Sequence, residues 1–229
     1  QEYFKADANG SFASYSPQEQ GSFSMSILTW GTAWEKDNER DQNVNFEQLK
    51  NNRLEIAFRL ANSNPNWSGN VVDSTGFPEG YGASQQEVLL FSFLSAYTGK
   101  SAGSYKLDPM PDIPMLNWRI TYNGLSRLEP FRKFLRSLTL THGYRSNYNV
   151  SSFQSNLLYR EFNDSPKALD NNNNYIHEYL IAQVSIIEQF NPLISFDMNW
   201  INSLMTKFEI KKARNLSLGF VNNQLTEVS

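Results

Sequence analysis

A change of period constrains this chain most. Residues 116–124 set Trp118, Ile120 and Tyr122 in alternation with Arg119, Thr121 and Asn123, the period of two that gives a strand one apolar and one polar face. Over residues 125–135 the apolar positions Leu125, Leu128, Phe131 and Phe134 or Leu135 move to helical spacing, with Arg127, Arg132 and Lys133 between them. Period two then returns, as Leu138, Leu140, His142 and Tyr144 alternate with Thr139, Thr141, Gly143 and Arg145. Two strands joined by a short basic amphipathic helix suit a sheet whose edge meets an interface, either a membrane surface or another layer of protein.

Similar alternation closes the chain. Ile194, Phe196, Met198 and Trp200 alternate with Ser195, Asp197 and Asn199; Thr206, Phe208 and Ile210 with Lys207, Glu209 and Lys211; Leu216, Leu218 and Phe220 with Ser217 and Gly219. The connectors near Asn202-Ser203 and at residues 212–215 are short enough for hairpins, which predicts an antiparallel meander. Residues 53–62 read as the cleanest strand, with Leu54, Ile56, Phe58 and Leu60 opposite Glu55, Ala57, Arg59 and Ala61. A further strand is expected over 22–34 with a bulge at Leu28, a short one near residues 12–15, and one over 175–190, where helical spacing also fits.

Breaks fall between these runs. Residues 63–115 form a long loop carrying one helix at about 85–98, opened by a capping box at Ser84-Gln85-Gln86-Glu87 and stopped by Gly99. That helix is apolar on most of its circumference and needs cover. Pro109, Pro111 and Pro114 keep residues 100–114 out of any ladder. Residues 146–174 read as polar loop ending in a solvated tip, Asn171-Asn172-Asn173-Asn174.

A net charge of -3 and a pI near 5.5 give no electrostatic case for nucleic acid. With no cysteine, disulfides, thiolate metal sites and a Cys nucleophile are excluded. The longest near-apolar run, residues 88–94, falls far short of the roughly 20 residues a membrane helix needs, whereas a membrane β-barrel strand needs only about 10 alternating ones. Aromatic content of 14% and a mean hydropathy of -0.52 fit a membrane barrel and a soluble β-sandwich alike.

No catalytic, cofactor or metal site is legible. Glu35, Asp37, Glu39 and Asp41 share a charged loop, but Lys36 and Arg40 interleave and no Gly sets a calcium-loop turn. His142 lies between Thr and Gly in a strand, where a structural hydrogen bond is its expected role, and His177-Glu178 is too little to define a metal site. Phosphate loops, a nucleophile elbow and a zinc-binding helix are missing; a pair of glycosidase carboxylates would meet only in space.

One apolar and one polar face per strand describe a sandwich core as well as a barrel wall. Three features favour the barrel: long uniform apolar faces, Trp34, Trp118 and Trp200 near strand ends where an aromatic girdle would lie, and Glu55, Arg59, Asp197, Lys207 and Glu209 on faces that a wet lumen tolerates. Each Trp also fits the edge of a core, so patterning alone leaves both readings open.

Residues 114–125 (PMLNWRITYNGL) and 138–146 (LTLTHGYRS) resemble the SprA/Sov family, the outer-membrane translocon of the type 9 secretion and gliding machinery of Bacteroidota. Residues 189–194, 208–216 and 222–227 resemble it too. The resemblance spreads from about residue 77 to 227; nothing before residue 77 carries it. It implies an all-β fold, an antiparallel transmembrane β-barrel segment with one or two short helices in loops, residues 1–229 being a single late portion of a much longer chain. It implies further a wall through which folded cargo proteins leave, no cofactor, and as partners the outer-membrane lipid bilayer, secreted cargo, a PorV-type barrel protein and a periplasmic plug protein. The start at Gln1 without a signal peptide and the close at Val228-Ser229 without a terminal aromatic accord with excision. In that frame the 125–135 helix is expected at the periplasmic rim, with Phe131 and Phe134 towards lipid or a neighbour, and the 85–98 helix inside or capping the barrel. The competing expectation is a soluble envelope or surface β-sandwich that binds glycans through exposed rings such as Trp67 and Tyr81. The barrel predicts that Leu54, Phe58, Phe196 and Trp200 face lipid; the sandwich predicts that they are buried and dry.

Overall fold

A computed structural model describes residues 2–6, 9–17, 19–35, 43–161 and 166–229, so Asp37, Glu39 and Asp41 lie outside the described residues. The fold is mostly antiparallel sheet. Strands β1 (Glu2–Ala6) and β2 (Phe12–Pro17) pair as a two-stranded sheet of their own. The main sheet begins with β3 (Gln20–Ser26), which ends earlier than alternation predicts. Residues 27–29 leave the ladder and Trp30–Thr32 turn as a short 3-10 helix. The register shift in this strand falls between Gly21 and Phe23, not at Leu28.

Helix α1 (Val44–Ser63) overturns the strand expected over 53–62. Its buried positions Asn45, Leu49, Asn52, Ile56 and Leu60 recur every three or four residues, and Ala57 and Ala61 widen the stripe. Ile56 and Leu60 satisfy a period of two as well as a helical one, which is how alternation misleads here. Leu54, which a strand would have buried with them, is 42% exposed. The Asn43 side chain caps the helix by accepting from the Phe46 N–H at 3.0 Å, and Pro65 forbids continuation beyond Asn64.

Helix α2 (Gln86–Thr98) follows, buried at every position from Val88 to Tyr97. Its cap is Gln85, whose side chain accepts from the Val88 N–H at 2.9 Å; the Ser84 box is therefore displaced by one residue. Gly99, at φ +69°, ends it in the left-handed region. Residues 100–117 run without strand to β4 (Trp118–Tyr122). A 3-10 turn (Gly124–Arg127) and the single-turn α3 (Glu129–Arg132) then replace the one helix expected over 125–135. Pro130 near the start of α3 and the extended Leu128 between the two turns divide it.

Strand β5 (Leu135–Ser155) is the central strand. It runs on through residues 146–155, expected to be loop. The polar run misleads because Asn147, Asn149 and Ser151 alternate with the inward-facing Tyr148 and Val150, while Ser146 is polar on the buried side. After α4 (Leu157–Glu161) come β6 (Tyr179–Ile181), β7 (Gln183–Trp200), β8 (Met205–Gly219) and β9 (Gln224–Val228). Residues 202–203 make the expected hairpin, but residues 212–215 make none, since β8 passes straight through them. Among the Asn171–174 tip residues, Asn174 is buried, its side chain accepting from the Gly82 N–H at 2.9 Å. Gly80 beside it has φ +84°, and a Cβ there would stand 2.1 Å from the Tyr175 ring. Only glycine fits.

The sheet is seven-stranded, in the order β3-β5-β7-β8-β9 with β4 and β6 also on β5. Strands β3 and β4 occupy the same edge of β5 end to end: β3 pairs with residues 147–154 and β4 with residues 140–144. They are one strand interrupted by residues 27–117, and that insertion carries α1 and α2. The junction is closed by the Met115 N–H donating to the Ser26 carbonyl at 2.9 Å and the Ser146 N–H donating to the Asn117 side chain at 2.9 Å. Among the described residues, 205–214 of β8 have no strand partner on the side away from β7.

A bare apolar half-face as the candidate site

From Ser137 onward in β5, even-numbered residues of β5, β7 and β8 share one face; a register shift between Leu135 and Ser137 sets Leu135 opposite Trp200. Strand β7 takes five steps from 190 to 195 where β5 takes three, from 144 to 141; against β8 it takes four, from 190 to 194, where β8 takes two. The surplus is two residues on either side, so alternation keeps its phase across the irregularity. Gly143 makes room for it: a Cβ there would sit 2.9 Å from the Asn191 carbonyl oxygen.

That shared face has two halves. In one, the rows Tyr148–Ile186–Leu216 and Val150–Val184–Leu218 cross the sheet and pack with Ile56, Leu90 and Phe93 of the inserted lobe. All six row residues are at most 2% exposed. In the other half, Leu140–Phe196–Phe208 and Ile194–Ile210 continue the same face without a covering layer among the described residues. Ile120 and Tyr122 of β4 extend it, at 57% and 51% exposure. Phe208 is 50% exposed. Phe131, Phe134, Leu138, Phe196, Trp200 and Phe208 line a shallow, almost wholly apolar hollow at its end.

The opposite face is mostly polar, with Ile187 and Met205 as its exposed apolar exceptions. On the bare half it carries Arg119, Thr139, Asp197 and Asn199, and Glu209 ion-pairs with Lys207 at 3.2 Å and Lys211 at 3.5 Å. The Asn199 side chain donates to the Ser137 hydroxyl at 2.7 Å. On the other half it carries Arg145, Asn147, Asn149 and Ser217, with Ser24 donating to Asn149 at 2.6 Å.

Aromatic rings mark the boundary between halves. Trp30, from the turn after β3, stacks on Trp118 at 5.4 Å and meets Tyr144, Phe190 and His142 within 5.2 to 5.5 Å. Trp34 joins through Phe190 at 5.1 Å, and the Lys212 ammonium lies 4.4 Å from the Trp34 ring. His142 takes the structural role expected of it, its Nδ1 2.6 Å from the Leu193 carbonyl. Trp200 stands at the far end of β7 with its indole N–H on the Thr206 hydroxyl at 2.9 Å.

One row further into the covered half lies a group that sequence reading missed. Ser146, Glu188 and Arg214 stand side by side on three strands. Glu188 and Arg214 form an ion pair at 3.0 Å with side chains 1% and 4% exposed. Glu188 accepts from the Thr29 hydroxyl at 2.6 Å and the Tyr144 hydroxyl at 2.9 Å. Arg214 donates to the Thr32 carbonyl and hydroxyl at 2.9 and 3.0 Å, and the Thr32 hydroxyl donates to the Tyr97 carbonyl at the end of α2. The pair therefore clamps the inserted lobe to the sheet. Its sequence signal is a charge on the apolar phase of each strand, Glu188 between Ile186 and Phe190, and Arg214 before Leu216.

Other expected contacts fail to assemble. Tyr81 is 1% exposed, so its ring is not presented for glycan stacking, while Trp67 is half-buried and packs edge-on to Phe58 at 6.5 Å. Leu54 and Phe58 belong to α1 and not to a barrel strand. His177 is far from His142 in the fold; burial pulls its pKa down to about 4, partly offset by Asp170. Among the described residues no group of three or more His, Cys, Asp or Glu is placed to hold a metal, and no helix is long and apolar enough to cross a membrane. No family model matches the chain, nor does any curated protein.

Proposed function

We propose that the bare half of the sheet is a stretch of outer-membrane β-barrel wall, with its even-numbered face towards lipid and its polar face towards an aqueous lumen. The observation that carries this reading is one sheet face whose cover stops at an aromatic boundary while its apolar character continues. From Tyr144 to Leu135 the strand covers roughly 30 Å at about 3.3 Å per residue, or about 23 Å along the normal at a tilt near 40°, close to the ~25 Å apolar band of such barrels. Trp30, Trp34 and Trp118 at one limit and Trp200 at the other sit where girdle aromatics belong.

This placement changes one expectation. Helix α2 lies on the same side of the sheet as the lipid-facing residues, so it is outside the wall and beyond the membrane, not in the lumen. The tight turn at residues 201–204 then points to the periplasm, and the side with the large insertion to the cell exterior, following the usual asymmetry of turn lengths. Phe131 and Phe134 meet lipid at the periplasmic rim.

The specific role, part of a type 9 secretion translocon wall through which folded proteins are exported, rests on the sequence resemblance and takes from it the PorV-type and plug partners. The test uses single cysteines at Phe196, Asp197 and Val71 of the Cys-free segment within the full-length parent, in intact cells and membranes. A lipid-dissolved probe reacting at 196, a water-soluble maleimide at 197 and an impermeant one at 71 from outside are expected. Protection of 196 from both probes would show a dry core and sink the wall. A probe pattern that supports the wall while export continues unaltered when the segment's lumen is blocked would sink the translocon alone.

A further inference from the structure

In the inserted lobe, where α2 begins against β6, a cavity of about 250 Å³ holds chemistry that the wall does not use. Glu87 and Glu178 both line it and repel one another electrostatically. Among the described residues neither carboxylate has an ion-pair partner. Burial pushes the Glu87 carboxyl up to about 7, as expected of an acid without a counter-charge; its hydrogen bond from the Gln85 amide is long at 3.4 Å. A second, independent feature is Asn64. It is 6% exposed, its side-chain oxygen is spent on the Asn66 N–H at 3.0 Å, and its Nδ2 amide group, near the Tyr81 hydroxyl, makes no hydrogen bond of good geometry. A buried donor left unmade costs about 1–3 kcal/mol.

We propose that this cavity binds a small organic cation, a primary ammonium group carried on a short apolar stem with a neighbouring carbonyl or hydroxyl oxygen. The ammonium donates to Glu87 and Glu178, and the oxygen accepts from Asn64. The remaining walls decide between this and a metal. Glu87 and Glu178 are the only carboxylates among the described lining residues, and among the described residues no group of three or more His, Cys, Asp or Glu is placed to hold a metal, while a calcium ion wants six to eight oxygens, several of them charged, and magnesium keeps its waters. The rings of Tyr81 and Phe91 on the same walls suit an alkylammonium, which is attracted to aromatic faces. The volume admits a ligand of about the size of one amino-acid residue. A lysine side chain or a peptide amino terminus has this chemistry, and both present a carbonyl nearby. The site stands in the lobe whether or not the bare half-face meets lipid, so it does not rest on the wall.

Saturation-transfer NMR on the purified protein tests this, with n-butylammonium as probe, 1-butanol as neutral isostere and calcium chloride as competitor. Transfer to butylammonium but not to butanol is expected, unaffected by calcium. It falls by about tenfold or more in Glu87→Gln/Glu178→Gln, while amide protection of α2 shows that the variant remains folded. Equal transfer to butanol would mean an apolar hole without charge recognition, displacement by calcium would mean a divalent-cation site, and no transfer to butylammonium would mean no site. Each of these three overturns the proposal.

Discussion

Ser26 and Trp118 face Asn147 and Tyr144, three positions apart on one edge of β5, although all of residues 27–117 lie between them. The edge treats the two as successive parts of a single strand. An insertion at that point emerges on one face and must pack there, which is how a sheet with uniform alternation acquires a covered and a bare half.

The clamp at Glu188 and Arg214 is expected to hold the lobe down. Glu188→Ala leaves the buried Arg214 guanidinium with the more distant Glu227 carboxylate, at 4.0 Å, as its remaining counter-charge, a loss that costs up to about 3–5 kcal/mol. Hydrogen exchange in α2 and in residues 27–33 should accelerate by several orders of magnitude, with β7–β8 amides of the bare half unchanged. The double change Glu188→Leu/Arg214→Met should recover part of the loss. Unchanged exchange in the single variant would mean that the lobe is held by packing alone.

At Gly143 the steric test is local. A methyl group 2.9 Å from the Asn191 carbonyl meets backbone and not a movable side chain tip, so Gly143→Ala should destabilise by roughly 1–3 kcal/mol. Gly31→Ala, with nothing within 4 Å of the added carbon, serves as the control. Thermal midpoints of the two variants under the same conditions should separate clearly.

Two groups in the lobe tie its stability to pH with opposite signs. The Glu87 pKa is raised to about 7, so the lobe loses stability as pH rises from the unfolded value of 4.5 through 7. The His177 pKa is lowered to about 4, so stability is full above the unfolded value of 6.5 and is lost as pH falls towards 4. In the overlap the two slopes oppose. Glu87→Gln alone should make α2 protection rise with pH between about 4.5 and 6.5, and His177→Asn alone should make it fall. Exchange rates corrected for intrinsic pH dependence decide; parallel profiles in both variants would contradict the assignment.

The helix cap offers a one-residue discrimination. Gln85→Ala removes the acceptor for the Val88 N–H and should cost about 1 kcal/mol, whereas Ser84→Ala, one residue earlier and exposed, should be near neutral. Exchange at the Val88 amide reads the difference directly.

Alternation made the strands around Ile120, His142, Phe196 and Phe208 legible, because each has a face of one character. It failed where the buried side is itself polar. Ser146 and Arg214 occupy inward positions, so the residues about them look like loop and turn, and two long strands were each cut short. It failed again at Ile56 and Leu60, four residues apart and common to both periods; Ala57 and Ala61, small and adjacent to them, were the signs of a helix packing closely on another. The candidate site was half visible. Its apolar side chains could be read directly, but what covers one half and leaves the other bare depends on an insertion folding back across three strands, and no local pattern encodes that.

The unpaired side of β8, residues 205–214, has a bearing on how such a chain is made. A row of free backbone donors and acceptors recruits whatever strand arrives first. Under the proposed wall reading, correct assembly is thus a matter of timing: the neighbouring strand must reach this edge before another copy does, and anything that delays it should divert the chain into aggregates seeded here.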